Sequence, residues 1–383
     1  MLNAIPLSLY IHLPWCVRKC PYCDFNSHTA KKILPEQTYI EALIRDFNYH
    51  LEEIKERELV SIFFGGGTPS LFSAAALEKL LAHIKSHLKF AAHIEITLEA
   101  NPGAIDVEHF KGYYAIGINR ISLGIQSFQN EKLKALGRIH DSAAALHAFY
   151  CAKDAGFENI NIDLMHGLPH QSLEDAYNDL EMAFKINPTH LSWYQLTLEP
   201  NTFFAHSPPP LPNDETLDEI YFSGEKKIIK CGYRHYEISA FCKQKYKCAH
   251  NLNYWEFGDY VGIGAGAHSK LTNIDKKQIK RFIKIKHPDA YMSAMSVDEK
   301  NFIMEEKIIS PQNLPFEFML NALRLYKKIP FSLFTQRTFL TYQDIHAYLI
   351  QAQTEKFIKY DQNNLAATLH GKRFLNHLLQ LFI

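Results

Sequence analysis

The sequence predicts an α/β fold, a partial (β/α)6 barrel followed by a small, mostly helical C-terminal domain. Two observations predict the barrel. Short apolar strand patterns alternate with amphipathic helix patterns, and nearly every strand pattern ends in a polar or glycine-rich run. Chemistry gathered at the carboxyl ends of successive parallel strands is the arrangement of a barrel mouth. A third observation predicts the second domain: from about Val297 the pattern turns helical, as in FEFMLNALRLYKKI and HGKRFLNHLLQLFI. The expected division is residues 1–290 for the barrel with its connecting segment and 291–383 for the helical domain.

The first strand is expected at Leu7–Leu13. Leu7, Leu9, Ile11 and Leu13 share one face, and Ser8, Tyr10 and His12 share the other, expected to line the lumen. Further strands are expected at 59–64, 94–98, 120–125, 159–164 and 190–198. Helices at Glu36–Ile54, 74–88, 142–155 and 172–186 fill intervals between them. The strand-end runs are HLPWC, GGGTPS, LEANPG, GIQSF, DLMHGLP and QLTLEP.

Composition narrows the function classes. At 383 residues the chain can bury one large core and one small one. With 41 basic and 41 acidic residues the formal net charge is zero, so bulk electrostatics recruit neither nucleic acid nor an anionic membrane. No apolar run is long enough for a transmembrane helix, and MLNAIPLSLYIHLPWC lacks the pattern of an export signal. Seven cysteines, an odd count, fit a reducing compartment, and a cytoplasmic location is expected.

Cys16, Cys20 and Cys23 form C-x3-C-x2-C within LYIHLPWCVRKCPYCDFNSH. Three thiolates so close can bind three irons of a cubane [4Fe–4S] cluster, leaving the fourth iron open to a small chelating molecule. The i, i+4, i+7 spacing suits a helix, but Pro21 removes a donor and disfavours the helical region for Cys20. A wrapped loop is therefore expected. The competing readings are a zinc site, with His12 or His28 as fourth ligand, and three unrelated buried thiols.

Other strand ends carry further candidates. Gly65, Gly66, Gly67, Thr68 and Pro69 match neither a Walker loop nor a dinucleotide fingerprint. Their bare backbone permits close approach of a ligand, and its carbonyls suit a cationic amino group. Glu99 would face the same mouth as the cysteines, where a carboxylate can accept both ribose hydroxyls of a nucleoside; the plainer reading is a solvated side chain. Asp163, between Ile162 and Leu164, is costly to bury unpaired. Arg138 is its candidate partner, so ligand contact and a lumen ion pair both fit. After Asp259, glycines at 262, 264 and 266 again allow close approach, expected to be toward an adenosine. LTNIDKKQIKRFIKIKHP reads as a basic, solvated connector with a weak signal for anionic contacts.

The cysteine spacing, with Tyr22 just before the last thiol, resembles the signature of the radical S-adenosylmethionine (SAM) superfamily. That resemblance implies a [4Fe–4S] cluster whose open iron is chelated by the SAM amino and carboxylate groups. It also implies reductive cleavage of SAM to a 5′-deoxyadenosyl radical. The runs PLSLYIHLPWCVRKCPYCDFNSH, FFGGGTPSLF, LEANPG, RISLGIQSFQ, LGRIH and DLMHGLPHQ are similar, over essentially the whole chain, to the oxygen-independent coproporphyrinogen III dehydrogenase family. Carried over by motif, the cluster ligands are Cys16, Cys20 and Cys23. The implied SAM contacts are Tyr10, Tyr22, Gly66, Gly67, Thr68, Glu99, Gln126, Arg138 and Asp163.

That family has two kinds of member. The dehydrogenase oxidatively decarboxylates two propionates to vinyls, carries a further cysteine two residues after the third, and has an N-terminal extension. Here Phe25 stands at that position and Tyr10 already lies in the first strand. Both features match the haem-chaperone (HemW-type) branch and leave the dehydrogenase as the alternative. Cys248 to Trp255 contains H-N-x-x-Y-W, characteristic of that branch. It implies haem as ligand, with His250 as a candidate axial ligand and Cys248 as the thiolate alternative. The plainer reading is that His250 and Asn251 brace a loop while Trp255 fills core. The resemblance implies a winged-helix-like C-terminal domain, haem-accepting partner proteins and an electron donor to the cluster. It leaves room for a homodimer, and the residues leave productive SAM cleavage open.

Overall fold

The computed structural model describes residues 5–30, 33–103, 107–297 and 301–383. The first four residues of the chain, and the segment at 298–300 near the expected helical onset, lie outside that set. β1 (Leu7–Leu13) sits inside a twelve-stranded sheet. Its Leu7, Leu9, Ile11 and Leu13 are fully buried against the outer helices. From it the chain runs through α1 (Glu36–Ile54), β2 (Glu58–Gly66), α2 (Ala74–His87), β3 (Lys89–Ala100), α3 (Val107–Ala115) and β4 (Arg120–Gln126). It continues through α4 (Asn130–Ala135), α5 (Ser142–Asp154), β5 (Asn159–His166), α6 (Leu173–Ile186) and β6 (His190–Gln195). All six strands pair in parallel with their sequence neighbours.

Capping explains why these helices start where they do. Ser73 accepts from the Ala76 amide at 3.2 Å and Asp141 from the Ala144 amide at 2.8 Å. Ser172 and Asp175 form a reciprocal capping box ahead of α6. Ile186 ends that helix because Asn187 turns left-handed.

The sheet grows beyond the six units. After α7 (Phe203–His206) and α8 (Asp214–Lys230), two antiparallel strands, β7 (Arg234–Glu237) and β8 (Ala240–Cys242), close one edge beside β6. α9 (Ala249–Trp255) then leads to β9 (Asp259–Ile263), which runs parallel to β1 on its far side. β10 (His268–Asn273), β11 (Gln278–Lys284) and, after α10 (Pro288–Val297), β12 (Ile303–Ile308) extend it antiparallel. The order β12-β11-β10-β9-β1-β2-β3-β4-β5-β6-β8-β7 has two distinct ends, so the barrel is partial.

One expectation is corrected here, and another gains a second cause. Two of the glycines after Asp259 are required by the chain itself, and Gly266 lines the larger cavity at the barrel mouth. A Cβ on Gly262 would lie 2.1 Å from the His268 carbonyl oxygen, and one on Gly264 2.5 Å from the His12 carbonyl oxygen. The basic run beyond them is a β-hairpin strand, not a solvated connector. Lys284 is fully buried and donates to Asp46 Oδ1 at 2.6 Å and toward His50 Nε2 at 2.8 Å. Asp46 also accepts from Tyr291 and from the Gly264 amide. Lys270 is likewise buried against Asp259 at 2.8 Å, with Arg57 on the other Asp259 oxygen. Lysines that look solvated in sequence are buried because their carboxylates arrive from more than two hundred residues away or from the preceding strand.

A second core gathers Phe318, Phe334, Ile345, Leu349 and Leu378, with Phe257 and Ile279 reaching in from the barrel. It is built from α11 (Leu314–Ala322), α12 (Phe331–Thr338), α13 (Tyr342–Thr354) and two short C-terminal helices, with a small three-stranded antiparallel sheet. Tyr291 and Met295 of α10 still belong to the barrel core, and β12 to its sheet.

Lys284→Met should cost about 3–5 kcal/mol in urea unfolding, because it strands the Asp46 charge. Asp46→Asn combined with Lys284→Met should be less destabilised than Lys284→Met alone. A double variant as unstable as the single one would show that the stranded charge is not the source of the loss.

Candidate functional site

The cysteine run is a wrapped loop, as Pro21 implied. Trp15–Cys16 pairs with His28–Thr29, and the Cys23 amide closes a turn on the Cys20 carbonyl at 3.1 Å. The loop is seated on the end of β2. The Gly67 amide donates to the Leu13 carbonyl at 2.8 Å and the Thr68 amide to the Trp15 carbonyl at 2.7 Å. A Cβ on Gly67 would lie 2.5 Å from the Trp15 oxygen, and Gly66, at φ 115°, lies under the His12 ring. Two of the three glycines are thus required by the chain as well as by any ligand.

The thiols look into a cavity of about 360 Å3 at the carboxyl ends of the strands. Cys16, Cys20, Tyr22, Cys23, Gly66, Gly67, Thr68, Glu99, Gln126, Arg138 and Asp163 all line it. Of the sequence-expected SAM contacts only Tyr10 lies apart. It lines an adjoining cavity, its hydroxyl 3.0 Å from His12 Nδ1. Gln126 ends β4 at φ 70°, with Oε1 accepting from Tyr194 at 2.8 Å.

A polar relay fixes the loop from two other strand ends. Asn101 donates to Thr68 Oγ1 at 2.8 Å, Arg138 Nη2 to Asn101 Oδ1 at 2.6 Å, and Arg138 Nη1 approaches Cys20 Sγ at 3.6 Å. A cation beside a thiolate-bound cluster offsets its negative charge. The lumen ion pair between Arg138 and Asp163 is not formed. Arg138 spends its Nη2 on Asn101 and the Gly124 carbonyl, while Asp163 accepts from Ser122 and Asn161 at 3.2 and 2.9 Å.

Glu99 is not a solvated carboxylate. Burial, and then the neighbouring Asp163, push its pKa up from 4.5 to about 8. Two buried carboxylates in one cavity repel unless a cation or hydroxyl donors enter between them. SAM brings a sulfonium, an ammonium and two ribose hydroxyls, so these residues fit it. The thiols fit a cluster better than a zinc ion. Among the described residues no three His, Cys, Asp or Glu side chains converge on a single ion, whereas in a cubane each thiolate takes its own iron. His12 and His28 hold other bonds, to the Asn26 carbonyl and side chain.

The adjoining cavity, about 1090 Å3, shares Cys23, Phe25, Glu99, Asn251 and Trp255 with the first. Its wall includes α9, docked through Glu95. That carboxylate accepts from the Ala249 and His250 amides at 3.0 and 3.1 Å and from Cys248 Sγ at 3.4 Å. Cys248 is fully buried, and burial pushes its thiol up to about 12. His250 is also buried. Its Nδ1 lies 2.9 Å from Ser61 Oγ and its Nε2 2.9 Å from the Tyr254 hydroxyl. Both residues brace the helix here, and an axial role for either would cost these bonds. Asn251 and Trp255, one turn apart, are the members of the motif that reach both cavities. Sequence reading missed Arg120, Ser122, Asn161, His190 and Ser192, which also line the larger cavity. Their signal was polar residues at alternate positions inside apolar strands.

Residues 10–183 match the radical SAM superfamily and residues 309–374 the HemN C-terminal domain. The fold and the site together are those of a radical SAM protein. The haem chaperone HemW of Haemophilus influenzae is 49% identical over 99% of this chain and 98% of its own length. HemW of Escherichia coli is 46% identical over the whole of both chains. The coproporphyrinogen III oxidase HemN of Escherichia coli, a radical SAM enzyme, superposes with TM-score 0.84 at 22% identity over 99% of this chain and 90% of its own, which shows the shared fold. The chain belongs to the HemW family.

Glu99 gives a pH-dependent signature. Its raised folded-state pKa means its contribution to stability is full below pH 4.5 and is lost as pH rises to about 8. Glu99→Gln should therefore raise the melting temperature of the ligand-free protein at pH 8.5 more than at pH 5. Glu99→Ala should weaken SAM binding by about 1.5–3 kcal/mol, roughly ten- to hundred-fold, with cluster content kept. Unchanged SAM affinity would remove Glu99 from the site.

Proposed function

We propose that this protein binds haem and passes it to acceptor proteins, with a [4Fe–4S] cluster and SAM as its cofactors. The observation that carries the reading is a cavity of about 1090 Å3 opening beyond the thiol-lined one, with Phe25 in the wall of both. The larger space suits a macrocycle, and the full-length relatives named haem chaperones point to haem as that macrocycle. Cys16, Cys20 and Cys23 would hold three corners of the cluster, and Glu99, Gln126 and Asp163 would frame SAM. When bound, that pair supplies reductive carbon–sulfur cleavage. What the chain itself does there is seat the loop, place Arg138 beside Cys20 and keep Glu99 and Asp163 out of bulk water.

Phe25 weighs against the dehydrogenase alternative. It is 62% exposed at the rim and has no thiol, so it cannot deliver the proton or hydrogen that a cysteine there could supply. A reductant for the cluster and haem-accepting proteins complete the partner set. A cytoplasmic setting is consistent with the absence, among the described residues, of any helix long and apolar enough to cross a membrane.

Anaerobically reconstituted protein should contain iron and sulfide. Ala at Cys16, Cys20 or Cys23 should remove most of both, while Cys231→Ala should not. Zinc without sulfide would defeat the cluster reading. With cluster reduced and SAM present, coproporphyrinogen III should stay unconverted; robust conversion would move the protein to the dehydrogenase.

A further inference from the structure

Five histidines line the larger cavity: His12, His28, His190, His250 and His268. An iron ligand needs a ring nitrogen with an available lone pair. Three of the five have both nitrogens taken, and a fourth, His28, holds Asn26 Oδ1 through Nε2 with its ring set edge-on to His287. His12 holds Tyr10 and the Asn26 carbonyl. His190 holds Asn161 and Tyr236, and His250 holds Ser61 and Tyr254. His268 is different. Its side chain is exposed at the cavity and makes no hydrogen bond among the described residues.

His268 is carried by a rigid element. It opens β10 opposite Ile283 of β11, and Lys270, two residues on, lies opposite Arg281. The two-residue period puts His268, Lys270 and Arg281 on one face. Lys270 is committed to Asp259. Arg281 gives Nη1 to Tyr260 at 3.1 Å and Nη2 to Glu317 at 2.5 Å, but its buried Nε has no partner among the described residues. Trp255 Nε1, in the same wall, is also buried without one among them. Lys286 is exposed at the rim and forms no ion pair among the described residues. Partial desolvation in the cavity wall, with Arg281 and Lys286 nearby, lowers the His268 pKa, which favours the neutral, ligating imidazole.

We propose that haem is held in this cavity with the His268 imidazole on its iron and Arg281 and Lys286 taking its propionates. The proposal rests on the haem-binding reading above and assigns an iron ligand outside the H-N-x-x-Y-W motif. The match is one of chemistry: an available imidazole, two cations and a tryptophan face against an iron, two carboxylates and a flat apolar ring.

Ferric haem titrated into full-length reconstituted protein, read as difference spectra in the Soret region, tests this. His268→Ala should shift the band and weaken binding at least about tenfold, the scale of a lost metal contact. Added imidazole should restore the wild-type band, and metal-free protoporphyrin IX should bind the variant as it binds wild type. Lys286→Glu should weaken both porphyrins, since both carry propionates. His250→Ala should keep the band position. A His268→Ala variant with wild-type band and affinity, or a band lost in His250→Ala and kept in His268→Ala, overturns the assignment. A wild type with no saturable Soret change instead overturns the haem reading itself.

Discussion

Two backbone hydrogen bonds, from the Gly67 amide to the Leu13 carbonyl and from the Thr68 amide to the Trp15 carbonyl, set where the three thiols sit. They hold the cysteine loop against the end of β2 at a distance that leaves no room for a side chain at residue 67. The loop cannot shift without breaking them, so its thiols keep a fixed relation to the strand ends. Thr68, Asn101, Arg138 and Cys20 then tie the loop to the ends of β3 and β4. A cluster held this way is positioned from three parts of the barrel mouth at once, and the cofactor cavity is defined by the same contacts.

Beyond the loop, Glu99 and Asp163 lie where the two cavities meet, buried carboxylates that raise each other's cost and await a cation or hydroxyl donors. Only the outer cavity also presents Arg281, Lys286 and the His268 imidazole. The inner cavity suits a cationic nucleoside, the outer one a dianionic macrocycle. Phe25, Asn251 and Trp255 stand in the wall common to both. Phe25 places an apolar side chain without a thiol in that wall.

What could be read from the sequence follows from the range of each interaction. β1 and α1 lie where their patterns placed them, because alternation and helical period are local properties of one buried face. The cysteine loop was legible through Pro21 and spacing. The hairpin of β10 and β11 was not, since Lys270 and Lys284 look solvated until Asp259 and Asp46 are brought to them by the fold. His250 drew attention as a motif residue, yet Ser61 and Tyr254 hold both of its nitrogens, and Ser61 is 189 residues distant. His268 drew none, because nothing in a single sequence distinguishes a free imidazole from four bonded ones.

The central claim is that one mouth holds an iron–sulfur cofactor and a separate haem side by side. Anomalous diffraction at the iron edge from crystals of the reconstituted, haem-loaded protein tests it most directly. Two iron centres are predicted: a compact cluster against Cys16, Cys20 and Cys23, and a single iron in the larger cavity beside His268. A haem iron on the C-terminal domain, or lodged in the thiol-lined cavity in place of SAM, would contradict this division of the mouth.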